Sequence, residues 1–367
     1  MDSQTTFEGY PALTIANDKL EVTVLTVGAS IVSLVLRDDP AKLSPLWNPH
    51  PIARAQGEEF SHVFGKRPGM GHFVCVDGFG PASAEEQNAG LPMHGEAHRQ
   101  PYEIKRHARD GKVLTLTLSA RLPLVGESFT RTVRLVDGEN VVCVESALEN
   151  LLAFDRPVNW AEHATIGAPY LERGKTVADM PAARAKTRKH PPQREELARR
   201  LASFVEFQWP LAPGLDGTSI DLRAAGPDPS GDHTTCLMDP ARPLAFISFL
   251  HPERRLLLGY VFKREEFPWV QNWQYYPANG QLARGLEFST QPYDVPRREA
   301  IQMNRMFDAP TYRWLPAKAT IVSRFLLFWT RTPAGFVKID DIGLENGTIT
   351  VKDASGKTFL LPASLGL

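Results

Sequence analysis

The segment "VLTLTLSA" (113–120) alternates Leu114, Leu116 and Leu118 with Thr115, Thr117 and Ser119. A period of two is the mark of a strand with one buried and one wet face. "NVVCVESALEN" (140–150) repeats it, with Val142, Val144, Ser146 and Leu148 on one side. The "DGEN" at 137–140 supplies a turn, so 129–150 reads as a hairpin. Working outward, "LEVTVLTVGASIVSLVL" (20–36) reads as two strands bent around Gly28. Strands follow at "PLAFISFL" (243–250), "RLLLGYVF" (255–262), "GLEFST" (285–290) and "TIVSRFLLFWT" (320–330). A helical stripe occurs in "PQREELARRLASFVEF" (192–207), through Leu197, Leu201, Phe204 and Val205. It follows the basic "RAKTRKHPP", read as a solvated loop. The pattern predicts an all-β fold, a large antiparallel β-sandwich over residues 1–335 with one short helical insertion. "LENGTITVKDASGKTFLL" (344–361), with turns at Asn346-Gly347 and Ser355-Gly356, predicts a C-terminal hairpin extension, 336–367, packed on it.

Composition narrows the function. The 367 residues are 43% hydrophobic and 23% charged, with 41 basic against 42 acidic side chains and a formal net charge of −1. Such a balance creates no field that would gather polyanions, so no nucleic-acid partner is expected. No apolar run approaches the roughly 20 residues of a membrane span, and the N-terminal stretch lacks the basic-then-apolar pattern of a signal peptide. Cys75, Cys143 and Cys236 lie far apart and offer neither a disulfide framework nor a thiolate metal site. A cytoplasmic protein without membrane contact is expected, acting on a small molecule as a monomer or weak homodimer.

The chemically suggestive residues lie in separate segments. In "GLPMHGEAH" (90–98), His94 and His98 are four apart, but Pro92 and Gly95 disfavour the helix that would join them at one zinc. On a strand they share a face, which keeps a cupin-like metal site open. His98 reads as a wet loop residue; His94, after Leu-Pro-Met and before a glycine, reads as a core or site histidine. In "RPVNWAEHATIGAPYLE" (156–172), His163 has Trp160, Ile166 and Tyr170 near it in sequence. An aromatic-walled imidazole suits a sugar pocket, and equally a small aromatic core. Glu287 in "ARGLEFSTQPYDVPRR" is a carboxylate inside an apolar strand, either paired with a cation or kept basic for proton work. Asp232 in "SGDHTTCLMDPARPLAFISFL" caps a turn or binds a ligand, with His233 as its solvated neighbour. No nucleophile elbow, P-loop or dinucleotide fingerprint occurs.

Together these segments resemble the aldose 1-epimerase (galactose mutarotase-like) family. "VTVLTVGASIVSLVL" is similar to its opening strand pair, "GLPMHGEA" to its first histidine motif, and "NLLAFDRPVNWAEHATIGAPYL" to the segment carrying its second. "GDHTTCLMD" is similar to its Asp-His strand start, and "GLEFSTQPYDVP" to its closing glutamate motif. The resemblance runs in order over roughly residues 10–330. It implies a twisted β-supersandwich that interconverts sugar anomers without a cofactor or metal. His163 and His94 would then meet the ring oxygen, Glu287 the anomeric hydroxyl, and Asp232 another hydroxyl. Arg67, Trp160 and Trp273 join Asp232 as expected substrate-binding residues. The family's Asn-Arg motif is absent from "FGKRPGMGHFVCVDGFGPAS", which is closer to the glycine-rich run of the hexose-6-phosphate epimerase branch.

Opening a hemiacetal requires loss of the O1 proton and protonation of the ring oxygen. The sequence reading expects an ionised Glu287 and a protonated His163, each holding the other's charge. A non-catalytic carbohydrate-binding protein and a cupin-like metal isomerase are the alternatives. Exhaustive chelation is expected to leave folding and activity unchanged; a stoichiometric zinc or manganese whose removal stops turnover would favour the metal isomerase.

Overall fold

The computed structural model describes residues 5–58, 69–189 and 197–367. Two large antiparallel sheets face each other across an apolar layer. Among the described residues the first has eleven strands, and its centre runs His72–Val76, Trp160–Gly167, Ala283–Ser289, Trp269–Tyr276, Ser230–Met238. The second has eight, in the order Val177–Asp179, Leu244–His251, Leu256–Lys263, Thr320–Arg331, Val141–Asn150, Glu127–Val136, Val113–Leu122, Glu103–Asp110. The period-two segments are therefore strands, and their alternation is realised. Leu114, Leu116 and Leu118 enter the layer between the sheets, as do Val142, Val144 and Leu148. Phe262 and Phe288 stack across that layer with centroids 4.4 Å apart. Gly28 bends the first strand pair at φ +76°, where an added Cβ would lie 2.3 Å from the His98 carbonyl oxygen.

The helical content differs from expectation. Short helices occupy His50–Ala55, Ala84–Asn88 and Arg297–Met303, and the expected helix over 192–207 is absent from its described part, 197–207. The Asp232 carboxylate accepts the backbone N–H groups of Arg200 (3.1 Å) and Leu201 (3.3 Å). Glu206–Phe207 instead adds a strand beside Ala182–Thr187. Tertiary hydrogen bonds thus override the local apolar period. The basic stretch is corrected in part: residues 184–187 belong to the strand Ala182–Thr187 of the large sheet rather than to a solvated loop, and 190–192 lie outside the described residues.

The C-terminal segment is a three-stranded sheet rather than a hairpin, formed by Ile339–Glu345, Thr348–Asp353 and Thr358–Pro362. Its Ile342, Ile349, Val351 and Leu361 cover the outer apolar face of the eight-stranded sheet at Phe246, Val261, Leu326 and Phe328.

One ionic cluster lies within the apolar layer. Glu162 accepts from Arg131 Nη2 at 2.7 and 2.6 Å, from the Trp160 indole at 3.1 Å, and meets His72 Nε2 at 2.7 Å. Arg131 Nε reaches Ser146 Oγ at 3.2 Å. None of these side chains is more than 1% exposed. Burial disfavours the Glu162 charge, yet the Arg131 guanidinium and the His72 hydrogen bond hold its carboxyl below the usual range. Replacing one partner of such a pair strands the other charge, at about 3–5 kcal/mol. Arg131→Met should therefore destabilise strongly in urea unfolding, and Arg131→Met/Glu162→Gln should recover more than half of the loss. A single variant as stable as the wild type would show that the pair does not hold the sheets.

Candidate functional site

Trp160–Gly167 is buried on both faces, so parity along it decides what each side chain meets. Trp160 and Glu162 enter the layer between the sheets. Ala161, His163 and Thr165 emerge on the other face of the large sheet. The register continues that face sideways: His163 pairs with Phe73, Thr165 with Gly285, Gly285 with Trp273, Gln271 with Glu287, and Trp273 with His233. A polar and aromatic patch results at the centre of the sheet.

His163 and Glu287 form its core. His163 Nε2 lies 3.1 Å from Glu287 Oε1, and Nδ1 lies 2.7 Å from Thr165 Oγ1. The His163 ring stacks on Phe73 at 4.1 Å and meets Trp273 edge-on at 5.9 Å. Room for the carboxylate comes from Gly285, two residues back on the same face. A Cβ there would lie 2.4 Å from Oε1. Burial raises the Glu287 carboxyl to about 8, opposed by the field of Arg188. Burial, with the neighbouring His94, pushes the His163 imidazole well below its usual range. Both shifts run against the charged pair expected from sequence: with both groups nearly dry, burial favours the carboxylic acid and the neutral imidazole.

His94 stands 5.4 Å from the His163 ring, edge to face. Its backbone has φ +65°, a strained conformation for a side-chain-bearing residue. Gly95, at φ +73°, permits the approach, since a Cβ there would touch the Val76 carbonyl oxygen at 2.0 Å. Gly80 holds the histidine twice: its carbonyl accepts from the His94 N–H (2.9 Å), and its N–H donates to Nδ1 (3.2 Å). Because Nδ1 accepts, the neutral ring carries its proton on Nε2. Burial, helped by Arg99, lowers this imidazole to about 3, so it remains a neutral donor.

The structure thus gathers His94, His163, Glu287 and Trp273. It does not bring in Trp160, whose indole points into the inter-sheet layer against Phe129 and Phe267. Tyr170 is likewise in the core, its hydroxyl on the Phe249 carbonyl. Trp160 lies three residues from His163, an odd offset that puts it on the opposite face. The aromatic walls are Phe73, Phe79, Trp47 and Trp273 instead. Asp232 also faces away, its carboxylate spent on Arg200 and Leu201. Its neighbour His233 faces the site, beside Arg188 and Asp294. His98 is buried rather than wet, at 2% exposure, in the short turn Ala97–Arg99. Arg67 lies outside the described residues. Among the described residues no group of three or more His, Cys, Asp or Glu side chains could hold a metal ion. Nor is any helix among them long and apolar enough to cross a membrane.

Solved structures share this architecture. A Klebsiella pneumoniae protein described as a "putative aldose 1-epimerase" superposes with a TM-score of 0.63 at 15% identity, over 89% of this chain and 80% of that one. A Lactobacillus acidophilus "galactose mutarotase related enzyme" gives 0.57 at 14%, covering 89% and 99%. A "galactose mutarotase-like protein" from Clostridium acetobutylicum gives 0.58 at 10%, covering 90% and 99%. No protein-family model and no curated protein sequence matches the chain. The fold is the galactose mutarotase-like β-supersandwich.

Gly285→Ala should displace the Glu287 carboxylate from His163 at a stability cost of about 1–3 kcal/mol, as for overpacking. Imidazole ¹⁵N shifts should move for His163 and stay put for His72. An unmoved His163 would show that Gly285 does not make room for the pair.

Proposed function

We propose that the chain is an aldose 1-epimerase-like isomerase that interconverts the anomers of a sugar by general acid–base catalysis. The observation that carries this reading is the 3.1 Å approach of His163 Nε2 to Glu287 Oε1 on the sheet face, with His94 beside it as a fixed neutral donor. Hydrophobic rings surround these polar groups, as a pocket for a sugar's C–H faces and hydroxyls requires.

The proton inventory fits ring opening. Transfer of one proton from Glu287 to His163 Nε2 gives carboxylate and imidazolium without exchange with solvent. The carboxylate then takes the O1 proton while Nε2–H protonates the ring oxygen, and the C1–O5 bond breaks. The open-chain aldehyde is left beside a carboxylic acid and a neutral imidazole, the state that burial favours. After rotation about C1–C2, the reverse steps close the ring on either face. His94 Nε2–H steadies the ring oxygen by a hydrogen bond. Such acid–base steps contribute roughly 10²–10⁴-fold each, and rigid strands supply orientation. No cofactor enters these steps, and a cytoplasmic setting suits the three reduced cysteines.

The neutral resting pair also suits a carbohydrate-binding protein without turnover, and Glu287→Gln separates the two readings. In exchange NMR of aldose anomers, the variant should lose at least about 10²-fold in rate while sugar binding changes little. Near-wild-type exchange would remove Glu287 from the role; no exchange by the wild type on any aldose would favour the binding protein. The pH profile carries a sign. The reactive pair needs the Glu287 proton, so activity should fall above about 8, where Glu287 loses it. On the acid side it should fall only well below the usual imidazole range, where His163 gains a second proton. This reverses the assignment that a carboxylate–imidazolium resting pair would give. A rise centred near pH 4–5 with activity sustained above pH 9 would contradict it.

A further inference from the structure

A second buried ionic cluster lies beside the loop that carries His94, and the proton steps do not use it. Asp77 follows the strand His72–Val76 in a left-handed backbone conformation, φ +51°. Its N–H donates to the Asn159 carbonyl at 2.7 Å, which continues the pairing of that strand with Trp160–Gly167. Its carboxylate oxygen Oδ2 takes two guanidiniums. One is Arg297 Nη1 at 2.6 Å, from the short helix Arg297–Met303 that follows the Glu287 segment. The other is Arg156 Nη2, from the short strand Arg156–Val158 that leads into the His163 strand. Asp77 is fully buried and Arg156 nearly so. One carboxylate thus joins the segments that carry His94, His163 and Glu287.

What Asp77 governs is the turn after it. Gly78 packs backbone to backbone on the His94 segment, since a Cβ there would lie 2.7 Å from the Gly95 nitrogen. Farther along the turn, Gly80 takes the His94 N–H on its carbonyl and gives its own N–H to Nδ1. The other end of the segment is held separately by Glu96, whose carboxylate accepts the N–H groups of Leu124 (2.8 Å) and Val125 (3.2 Å). Arg156 also donates to the Val125 carbonyl, so both anchors meet at its guanidinium. Glu127 lies 3.3 Å from Arg156 Nη1 yet accepts no hydrogen bond among the described residues. Burial raises both carboxyls, and the fields of Arg297 and Arg156 oppose it at Asp77. Glu127, pushed up to about 9 by burial and by the Asp77 charge, is a neutral acid near pH 7 and leaves Asp77 to balance the guanidiniums. We propose that Asp77 is the positioning residue of His94: clamped by Arg156 and Arg297, it fixes the 77–80 turn whose Gly80 sets the direction and tautomer of that imidazole. Its effect on turnover rests on the epimerase reading above; its hold on His94 does not.

The test is ¹⁵N NMR of the histidine rings, with anomer exchange and sugar binding measured beside it. Asp77→Asn keeps the shape and the tolerance for positive φ and removes the charge. In the wild type His94 should show one tautomer, with Nδ1 unprotonated and Nε2 protonated. In Asp77→Asn its Nδ1 signal should move toward the average of the two tautomers, while His72 in the inter-sheet cluster keeps its shifts. Exchange at saturating sugar should fall roughly 10-fold, the effect of misplacing one hydrogen bond, and sugar binding should change less. Arg297→Met removes the guanidinium that is 27% exposed; it should move His94 in the same direction, by less, and serves if Asp77→Asn does not fold. A lower melting temperature with the His94 shifts unmoved would make the cluster purely structural and overturn the proposal. A displaced His94 with exchange intact would keep Asp77 as its positioning residue and remove His94 from the proton steps. A wild type that exchanges no aldose would remove the epimerase reading, and the His94 shift in Asp77→Asn would still decide for or against Asp77.

Discussion

A carboxylate buried between two sheets fixes the geometry of everything else. Glu162 on Trp160–Gly167 is tied to Arg131 of the opposite sheet, to His72 on the neighbouring strand, and to the indole of Trp160. A strand buried on both faces has no wet side to set its phase by hydrophobicity alone. A slip of one residue would send Glu162 into the pocket and His163 into the apolar layer, leaving Arg131 unpaired at the centre of the core. The ionic cluster therefore specifies register as well as adhesion, which is the best-attested use of buried polar groups. From that register follow His163 beside Phe73, Glu287 beside His163, and Trp273 and His233 farther along the same face.

Burial does a second thing to the site. Moving a carboxyl and an imidazole out of water penalises the charge on both, so the pair rests neutral although its partners are complementary. The 3.1 Å separation of Nε2 and Oε1 keeps the alternative charge distribution within one proton transfer. His94 is tuned by the same desolvation and by a backbone N–H on Nδ1, which makes it a donor that does not titrate near neutrality. A backbone strained at His94 and relieved by Gly95 and Gly80 places that donor. Both imidazoles on this sheet face are thus lowered by burial, and they differ in their partners: Gly80 N–H at His94 Nδ1, Thr165 and Glu287 at His163.

The fold was legible because period-two alternation in segments such as 113–120 and 140–150 reports a sandwich directly. Long-range competition was not legible. Nothing local announces that Asp232 takes the N–H groups of Arg200 and Leu201, or that Ala182–Thr187 becomes a strand. Within the site, residue types were easier to find than faces. Trp160 and Asp232 sit in suggestive motifs, yet each is an odd number of residues from a group on the pocket face. Counting parity from His163 would have excluded Trp160, and the same count along Ser230–Met238 separates Asp232 from His233. Arg188, Asp294 and Gly285 had no signal of their own, since their roles arise from strands and loops distant in sequence.

The central claim is that a strand held in register by Glu162 presents His163 and Glu287 as a dry, neutral, one-proton pair. The direct test is NMR of protein carrying ¹⁵N-labelled histidine and ¹³C-labelled glutamate carboxyls, followed through neutral pH. The account predicts, at pH 7, a neutral His163 with its proton on Nδ1 and a Glu287 carbon at the shift of a carboxylic acid, which becomes carboxylate near pH 8. An imidazolium at His163 beside a fully ionised Glu287 at pH 7 would contradict it.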